Sequence, residues 1–360
     1  MKKSSLFLVI PLLLSTCQVE VQKEADAPLI GKHQLTLSSD IMSPEVLWSF
    51  GRLGDVQVSP DEEKILYGVS YYSIEQNRSN RELFVMGSDG SGKIQLTETP
   101  QSEFNAIWHP DGEGIVYLSS ASGEVQAWQM NADGSGKQQI SDIEGGITGL
   151  VFSPDGRKVL YTKEVQVAKT TQDLHPDLQL TDGRIINDLM YRHWNTWEDG
   201  AYSHLFVADF DGSFGEGTDL MPGEPYDSPM KPFGGLEEVA WSPDSKTIAY
   251  TCKKMTGLDY SFSTDSDVYL YYLDSGETTN LTEGMPGYDR VPFFSPDGRW
   301  VGYYSRGKLW KLSLAGGAPV EICDVSQFIV GASWGPDDSI VFAVVGSGLM
   351  NVPAAGGSPE

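Results

Sequence analysis

A short serine-containing sequence is the first feature of this 360-residue chain that could do chemistry. Gly331-Ala332-Ser333-Trp334-Gly335 fits the Gly-x-Ser-x-Gly pattern, in which a nucleophilic serine stands at a sharp turn between a strand and a helix. Here Pro336 follows at once, an alternating apolar stretch typical of a strand comes next, and no histidine lies downstream to act as base. We therefore interpret the match as a coincidence within a β-sheet and assign no catalytic residue.

Two acidic pairs are the next candidates. Glu237 and Glu238 stand just before an apolar stretch, and a carboxylate facing a cavity there would bind a peptide amine through a charge-assisted hydrogen bond. Neighbouring strand residues point to opposite faces, so at most one of the two could do this; the alternative is a solvated strand end. Asp265 and Asp267 are too few for a metal site, and the Cys and His spacing predicts no zinc, so we expect neither metal nor cofactor.

A cluster of aromatic and ionisable residues is the third candidate. His193, Trp194, Trp197 and Glu198 lie within six positions, inside a stretch without regular apolar periodicity. Loops on a rigid scaffold often carry binding residues, so these four are candidates to face a substrate or a partner domain. The alternative is a packed, hydrogen-bonded insertion.

A recurring turn sequence identifies the elements that must position these residues. Its copies read aromatic or aliphatic, then Ser-Pro-Asp-Gly or a close variant, then a strand ending in Tyr or Phe. Proline presets φ for the second turn position and glycine supplies a positive φ, so each copy predicts a tight turn between strands. The turn prolines are Pro60, Pro110, Pro154, Pro243, Pro296 and Pro336.

A second pattern follows each copy: an alternating strand, a Gly-containing turn such as Asp89-Gly90, and another strand. Each repeat thus supplies about four strands at a spacing of about 40 to 50 residues, which is typical of β-propeller blades. We predict an all-β propeller over residues 41–360 with about six recognisable blades, the last incomplete, and an insertion at about 165–203. A β-sandwich is the alternative fold, but it would not repeat one turn at a near-constant interval.

The N-terminus predicts export. Lys2 and Lys3 precede an apolar stretch, Leu6–Leu14, which is too short to remain as a membrane span. Leu14-Ser15-Thr16-Cys17 resembles a lipobox, which predicts lipidation of Cys17; simple signal cleavage is the alternative. Residues 1–17 are then the signal, residues 18–40 a polar tether, and the protein a periplasmic or outer-membrane lipoprotein.

Charge limits the partners. The formal net charge of −25 repels phosphate backbones and anionic lipid, which argues against nucleic-acid binding and leaves the lipid at Cys17 as the membrane attachment. Cys252 and Cys323 lie far apart in strand-like stretches, and we expect two buried free thiols rather than a disulfide.

The chain also resembles known families. The repeated aromatic-Ser-Pro-Asp-Gly turn is similar to that of TolB-like propellers. Residues 173–178, 184–200 and 221–235, together with Thr251-Cys252-Lys253-Lys254 and 280–289, resemble bacterial peptidases of the prolyl oligopeptidase family, of the dipeptidyl peptidase five and acylaminoacyl peptidase types. From about Arg299 the sequence looks more like extracytoplasmic propellers attached to signalling kinases.

The peptidase resemblance implies a function. In that family a propeller precedes an α/β-hydrolase domain, restricts access to its serine and helps recognise the free N-terminus of short peptides. The resemblance covers signal and propeller here, so it implies the gating and substrate-positioning portion of an exported serine peptidase, not catalytic by itself, with peptide substrate or a C-terminal hydrolase domain as partner. The alternatives are a standalone TolB-like propeller that binds a protein or peptide, and the sensor propeller of a kinase.

Overall fold

The protein is an all-β propeller. A computed structural model describes residues 29–37 and 39–360, and these form five four-stranded antiparallel sheets, one three-stranded sheet and one small hairpin. The first strands of blades 1 and 2, 2 and 3, 4 and 5, and 5 and 6 contact one another, which is the arrangement of the innermost strands of a propeller. The prediction of six blades with an incomplete last one is therefore confirmed.

The strands follow chain order in each blade. Blade 1 holds β1 (Arg52–Val58), β2 (Lys64–Ser73), β3 (Arg78–Gly87) and β4 (Ile94–Gln95), and blade 2 holds β5 (Glu103–Trp108), β6 (Gly114–Ser119), β7 (Gln126–Asn131) and β8 (Gln138–Gln139). Blade 3 holds β9 (Gly149–Phe152), β10 (Lys158–Gln166), β13 (Ala201–Asp209) and β14 (Thr218–Asp219), with the hairpin β11 (Arg192–His193) and β12 (Thr196–Trp197) in its insertion.

The second half of the ring is built the same way. Blade 4 holds β15 (Val239–Trp241), β16 (Thr247–Cys252), β17 (Asp267–Tyr272) and β18 (Glu277–Asn280), and blade 5 holds β19 (Arg290–Phe294), β20 (Trp300–Ser305), β21 (Lys308–Ser313) and β22 (Val320–Asp324). Blade 6 holds β23 (Ile329–Trp334), β24 (Ser339–Val344) and β25 (Gly348–Pro353). The helices are α1 (Pro44–Ser49), α2 (Thr171–Leu174) and α3 (Gly257–Phe262), with 3₁₀ turns at Pro176–Leu178 and Leu236–Glu238.

The repeated turn joins the first two strands of a blade. In blade 3 the Ser153 hydroxyl donates to Asp155 Oδ1 over 2.7 Å and accepts from the backbone N–H of Lys158 over 3.0 Å. Gly156 has φ +68°, a conformation that glycine adopts without steric cost. Because the serine satisfies the backbone between two strands, the turn fixes their register.

Burial of the strands differs between the middle blades and the two end blades, blade 1 and blade 6. Every residue of β16 in blade 4 is buried, since its sheet packs between two neighbours. In blade 6, β24 alternates: Ile340 and Phe342 are buried against blade 5, whereas Val341 is exposed. Blade 1 likewise exposes Leu53 on β1. Each end blade therefore presents one partly apolar face to solvent.

The serine of the Gly-x-Ser-x-Gly match and the two cysteines of the propeller lie in strands. Ser333 lies in β23 and is followed by a strand, so the nucleophile-elbow interpretation is excluded by the structure as well. Cys252 and Cys323 are free and buried, as expected. Cys17 and the rest of residues 1–28 lie outside the described residues, so the signal and lipidation stay predictions. Across residues 29–37 and 39–360, no helix has the length and apolar character to cross a membrane.

Candidate functional site

The insertion of blade 3 covers a cavity of about 610 Å³. The insertion leaves the sheet after β10 and returns at β13, and the pairing of Gln166 with Ala201 closes its base. The cavity wall comes from the insertion, the loop after β14 and the loop that holds α3, together with Tyr202 at the start of β13. Its lining includes Leu189, Tyr191, His193, Trp197, Glu198, Tyr202, Tyr226, Asp227, Met255 and Tyr260.

Acidic and phenolic groups share this lining. Asp227 is 8% exposed, and its Oδ1 accepts the backbone N–H of Ser203 over 2.8 Å. Burial raises the pKa of this carboxyl, against the opposing effect of Lys231. Burial also raises the pKa of Tyr260 to about 12, and the charges of Asp227 and Glu198 add to the effect. Asp227 and Glu198 therefore lie close enough to influence the same hydroxyl in the cavity, although they lie on different segments.

Lys231 forms two ion pairs at the base of the insertion. Its Nζ lies 3.0 Å from Glu164 Oε2 at the end of β10 and 3.2 Å from Asp227 Oδ1. Burial disfavours the ammonium, but the two carboxylates outweigh it and raise the pKa of Lys231 to about 12. The lysine thus stays charged and joins β10 to the loop after β14.

The hairpin β11–β12 carries the aromatic and ionisable cluster. His193 Nδ1 lies 2.8 Å from Glu198 Oε1, and both side chains line the cavity. The guanidinium groups of Arg184 and Arg192 lie 4.8 and 5.1 Å from the ring centre of Trp197, which holds this ring by cation–π contacts. Trp194 stands at the hairpin tip with φ +44°, is 72% exposed, and contacts Phe233 edge to face.

Glu237 and Glu238 lie elsewhere. They form a 3₁₀ turn before β15, so the expectation that they belong to a strand is wrong. Glu238 is fully buried: its Oε2 accepts the backbone N–H of Met230 over 2.8 Å, and its Oε1 lies 3.3 Å from Arg290 Nη2. Glu237 contacts the same guanidinium and lines a separate cavity of about 500 Å³. An amine could reach Glu238 only by displacing Arg290.

The structure thus brings together three of the six residues singled out from the sequence. His193, Trp197 and Glu198 line the insertion cavity, Trp194 lies at the tip of the same hairpin, and Glu237 and Glu238 belong to the blade 4–blade 5 junction. That any of them touches a substrate stays a prediction. Among the residues described, no cluster of three or more His, Cys, Asp or Glu side chains could hold a metal ion.

Sequence reasoning missed Tyr202, Asp227, Lys231 and Tyr260. Asp227 lies in Met221–Pro229, a segment that resembles the peptidase family but has no residue pattern that predicts a site. No sequence signal marked Tyr260, because its contribution depends on the path of a loop from the next blade.

Comparisons with known proteins agree with this fold. No family model matches the chain. It is 42% identical over 332 residues to dipeptidyl-peptidase 5 of Porphyromonas gingivalis, covering 88% of this chain and 48% of that protein. It is also 42% identical over 273 residues to dipeptidyl-peptidase 5 of Porphyromonas endodontalis, covering 76% and 39%. The chain therefore spans about half the length, or less, of these curated relatives.

Solved structures support the same fold. An acylaminoacyl peptidase bound to Z-Gly-Gly-Phe-chloromethyl ketone superposes with a TM-score of 0.60 at 15% identity, over 85% of this chain and 45% of the peptidase. The acylaminoacyl peptidase of Pyrococcus horikoshii gives a TM-score of 0.58 at 17% identity, over 85% and 45%. Such low identities establish fold alone, whereas the sequence matches establish descent: the chain is homologous to the dipeptidyl-peptidase 5 proteins over the part of their length that it spans.

Proposed function

We propose that this chain is the substrate-admitting and substrate-positioning propeller of an exported serine dipeptidyl- or oligopeptidase, and that it performs no hydrolysis by itself. The observation that carries the proposal is the cavity under the blade 3 insertion, in a chain 42% identical to dipeptidyl-peptidase 5. Gating of a catalytic domain is inferred from the family resemblance.

The chemistry of the cavity suits one end of a short peptide. Glu198 supplies a carboxylate whose Oε1 contacts His193, and Asp227 supplies a second one that is already paired with Lys231. Tyr202 and Tyr260 supply hydroxyls, and Leu189, Met255 and Trp197 supply apolar wall. A peptide ammonium would gain a charge-assisted hydrogen bond there, while the first side chains pack on the wall. A cavity of about 610 Å³ holds a di- or tripeptide rather than a folded protein.

Binding of a tripeptide tests the proposal directly. We expect trialanine to bind this chain at least about tenfold more tightly than N-acetyl-trialanine in titration calorimetry, because acetylation removes the positive charge. Glu198→Gln should lower this preference for the free amine. Asp211→Asn, the loss of one carboxylate in an exposed turn of the same blade, is the matched control and should leave it unchanged. Equal binding of the two peptides would contradict the proposal.

A second measurement separates positioning from catalysis. We expect this chain alone to release no 4-nitroaniline from Ala-Ala-4-nitroanilide. The native gene product, detected in its own cells with an antibody against the propeller, should be about twice the mass of this chain, matching the relatives' length. A native product of this chain's mass that still prefers the free amine would favour the alternative, a standalone peptide-binding propeller. Hydrolysis by the chain itself would overturn the proposal.

Export and anchoring belong to the same proposal. The lipobox-like sequence ending at Cys17 suggests a lipoprotein of the periplasm or outer membrane. We expect wild-type protein to be labelled by palmitate and recovered with membranes, and Cys17→Ala to be unlabelled and released from them. Membrane recovery of unlabelled Cys17→Ala would refute lipid anchoring.

A further inference from the structure

Two buried carboxyl groups face each other at the junction of blades 1 and 2. Glu82 on β3 and Glu103 at the start of β5 are each 2% exposed. The Thr97 hydroxyl donates to Glu82 Oε2 over 2.8 Å, and the Thr99 hydroxyl donates to Glu103 Oε1 over 2.7 Å. Glu103 Oε2 has no hydrogen-bond partner in the described part of the chain. Thr99 links the two acids, because its backbone N–H also donates to Glu82 Oε1 over 3.1 Å.

The junction of blades 4 and 5 repeats this arrangement. Asp267 directly precedes Val268 in β17 as Glu82 precedes Leu83 in β3, although Asp267 is half-buried, and Asp289 immediately precedes β19. The Thr282 hydroxyl donates to Asp267 Oδ1 over 3.2 Å and accepts the Val268 N–H over 3.0 Å, just as the Thr97 hydroxyl accepts the Leu83 N–H. Asp289 is 1% exposed, and its Oδ2 also lacks a partner among the described residues.

The junction of blades 2 and 3 has the same arrangement of hydrogen bonds, which we call the frame, around a neutral side chain in place of a carboxyl group. Gln126 on β7 takes the place of Glu82, and its Oε1 accepts the Ser141 hydroxyl over 2.6 Å and the Ile143 N–H over 3.1 Å. The Ser141 hydroxyl in turn accepts the Ala127 N–H over 2.8 Å. Because a neutral side chain fills this frame in the same molecule, the frame itself does not require an ionised acid.

Among residues 29–37 and 39–360, no cation forms an ion pair with either pair of acids. Glu103 is faced by Glu82 and Tyr117, while Arg81 on β3 lies 2.6 Å from Asp55. Asp289 is faced by Asp267, Asp265 and Tyr303; Arg306 acts on Tyr303, Lys253 acts on Asp265, and Arg290 contacts Glu237 and Glu238. Two carboxylates that share a buried site cannot both ionise cheaply, so one of them retains its proton.

We propose that each of these pairs, Glu82 with Glu103 and Asp267 with Asp289, holds a single proton, and that loss of the two protons loosens the blade 1–blade 2 and blade 4–blade 5 junctions. The propeller therefore carries a conformational device that tightens two of its junctions in mild acid. The blade 2–blade 3 junction lacks it, because Gln126 cannot ionise.

The direction of the pH effect follows from the titration. Burial raises the pKa of Glu103 to about 7 and that of Asp289 to about 6, and the neighbouring carboxylates Glu82 and Asp267 add to the rise. A group whose pKa is higher in the folded state stabilises that state below its unfolded pKa and loses this contribution as pH rises through the folded pKa. Stability should therefore fall from about pH 4 to about pH 7 and level off above that.

Urea unfolding of this chain between pH 5 and pH 8 tests the proposal. The variants Glu103→Gln and Asp289→Asn replace the proton-holding groups by neutral ones. We expect the folding equilibrium constant of wild type to fall as the pH rises. In each variant this fall should be smaller by a factor of at least about ten, which corresponds to one pKa unit. Because the readout is the change with pH, a variant that is less stable at every pH remains informative.

Two further variants complete the test. Glu82→Gln introduces the residue that stands at position 126 in the next junction, and it should flatten the profile as Glu103→Gln does. If Glu103→Gln fails to fold, Glu82→Gln tests the first pair, and Asp267→Asn tests the second pair in the same way. Asp155→Asn, the control, removes a turn carboxylate that accepts the Ser153 hydroxyl and the Arg157 N–H. These bonds lower the pKa of Asp155, so the carboxylate is ionised throughout this pH range and its loss should not flatten the profile. Titration of His204 is common to all variants and cancels in the comparison. Wild-type slopes in both paired-acid variants would overturn the proposal, as would equal flattening by Asp155→Asn.

Discussion

At the scale of single residues, the buried polar groups are held in definite protonation states by their partners. His204 on β13 is 0% exposed; its Nδ1 lies 2.9 Å from Asp219 Oδ2 and its Nε2 lies 2.9 Å from the carbonyl oxygen of Glu224. Both partners accept hydrogen bonds, so both ring nitrogens must donate, which only the imidazolium can do. Burial opposes the charge, but the bond to Asp219 outweighs it and raises the pKa of His204.

Replacement of this histidine should therefore cost stability in a pH-dependent way. We expect His204→Gln to lower the free energy of unfolding by about 2 to 4 kcal/mol at pH 6, because Asp219 loses its charged partner. The loss should shrink as the pH rises above the ordinary histidine value and through the raised pKa of His204. Urea unfolding of both proteins at several pH values gives the difference; a loss independent of pH would show that the ring is neutral.

At the scale of elements, the repeated turn shows how local sequence fixes blade geometry. In blade 4 the buried Ser242 hydroxyl donates to Asp244 Oδ1 over 2.6 Å and accepts the backbone N–H of Thr247 over 2.8 Å. In blade 6, Gly335 stands at this position. The turn there is held by the backbone bonds from Gly335 N to Ser339 O, at 2.7 Å, and from Asp338 N to Gly335 O, at 3.1 Å, and by the Asp337 carboxylate, which accepts from Ser339. The serine is thus a stabilising addition to a turn that the backbone can already form.

Loss of the hydroxyl should weaken the turn but not abolish it. We expect Ser242→Ala to lower the free energy of unfolding by about 1 to 3 kcal/mol, since a buried N–H loses its acceptor. Ser347→Ala, in an exposed turn of blade 6, is the matched control and should change it by less than about 0.5 kcal/mol. Equal effects would show that the Ser242 hydroxyl does not stabilise the turn.

These elements also show what the sequence could and could not predict. Turn and strand patterns are local, so a proline, an aspartate and a glycine in a row carried enough information to predict blades. The cavity joins Glu198, Asp227 and Tyr260 from three loops, and their meeting depends on the path of an insertion without periodicity. The sequence marked Glu198 through its aromatic neighbours, but nothing local connects it with Tyr260.

At the scale of the whole molecule, the two end blades differ from those between them. On blade 6, Val341 and Leu349 lie on the face opposite to Phe342, and Leu349 is 75% exposed. The middle blades instead bury both faces of their sheets, as the uninterrupted burial of β16 shows. Contiguous exposed apolar surface of this kind favours association.

A charge on this face should reduce association without harming the fold. We expect wild-type protein to sediment with a concentration-dependent increase in mass, and Leu349→Lys to suppress that increase. The melting temperature should change by no more than about 2 °C, since an exposed side chain contributes little to the core. Asp211→Asn in the exposed turn of blade 3 makes the same change of net charge as Leu349→Lys and should leave the association unchanged. Wild type that stays monomeric at high concentration would contradict the prediction.

The reaction rates of the two buried thiols would measure how often individual blades open. Cys252 lies in β16 of blade 4 and Cys323 in β22 of blade 5, and both are sealed from solvent. Burial raises the pKa of the Cys323 thiol to about 11 and that of Cys252 as well, so the folded protein holds almost no reactive thiolate at pH 8. An alkylating reagent can therefore mark each cysteine only when its own blade opens. Peptide masses taken over time would report the opening rates of two adjacent blades in one experiment, with no engineered label.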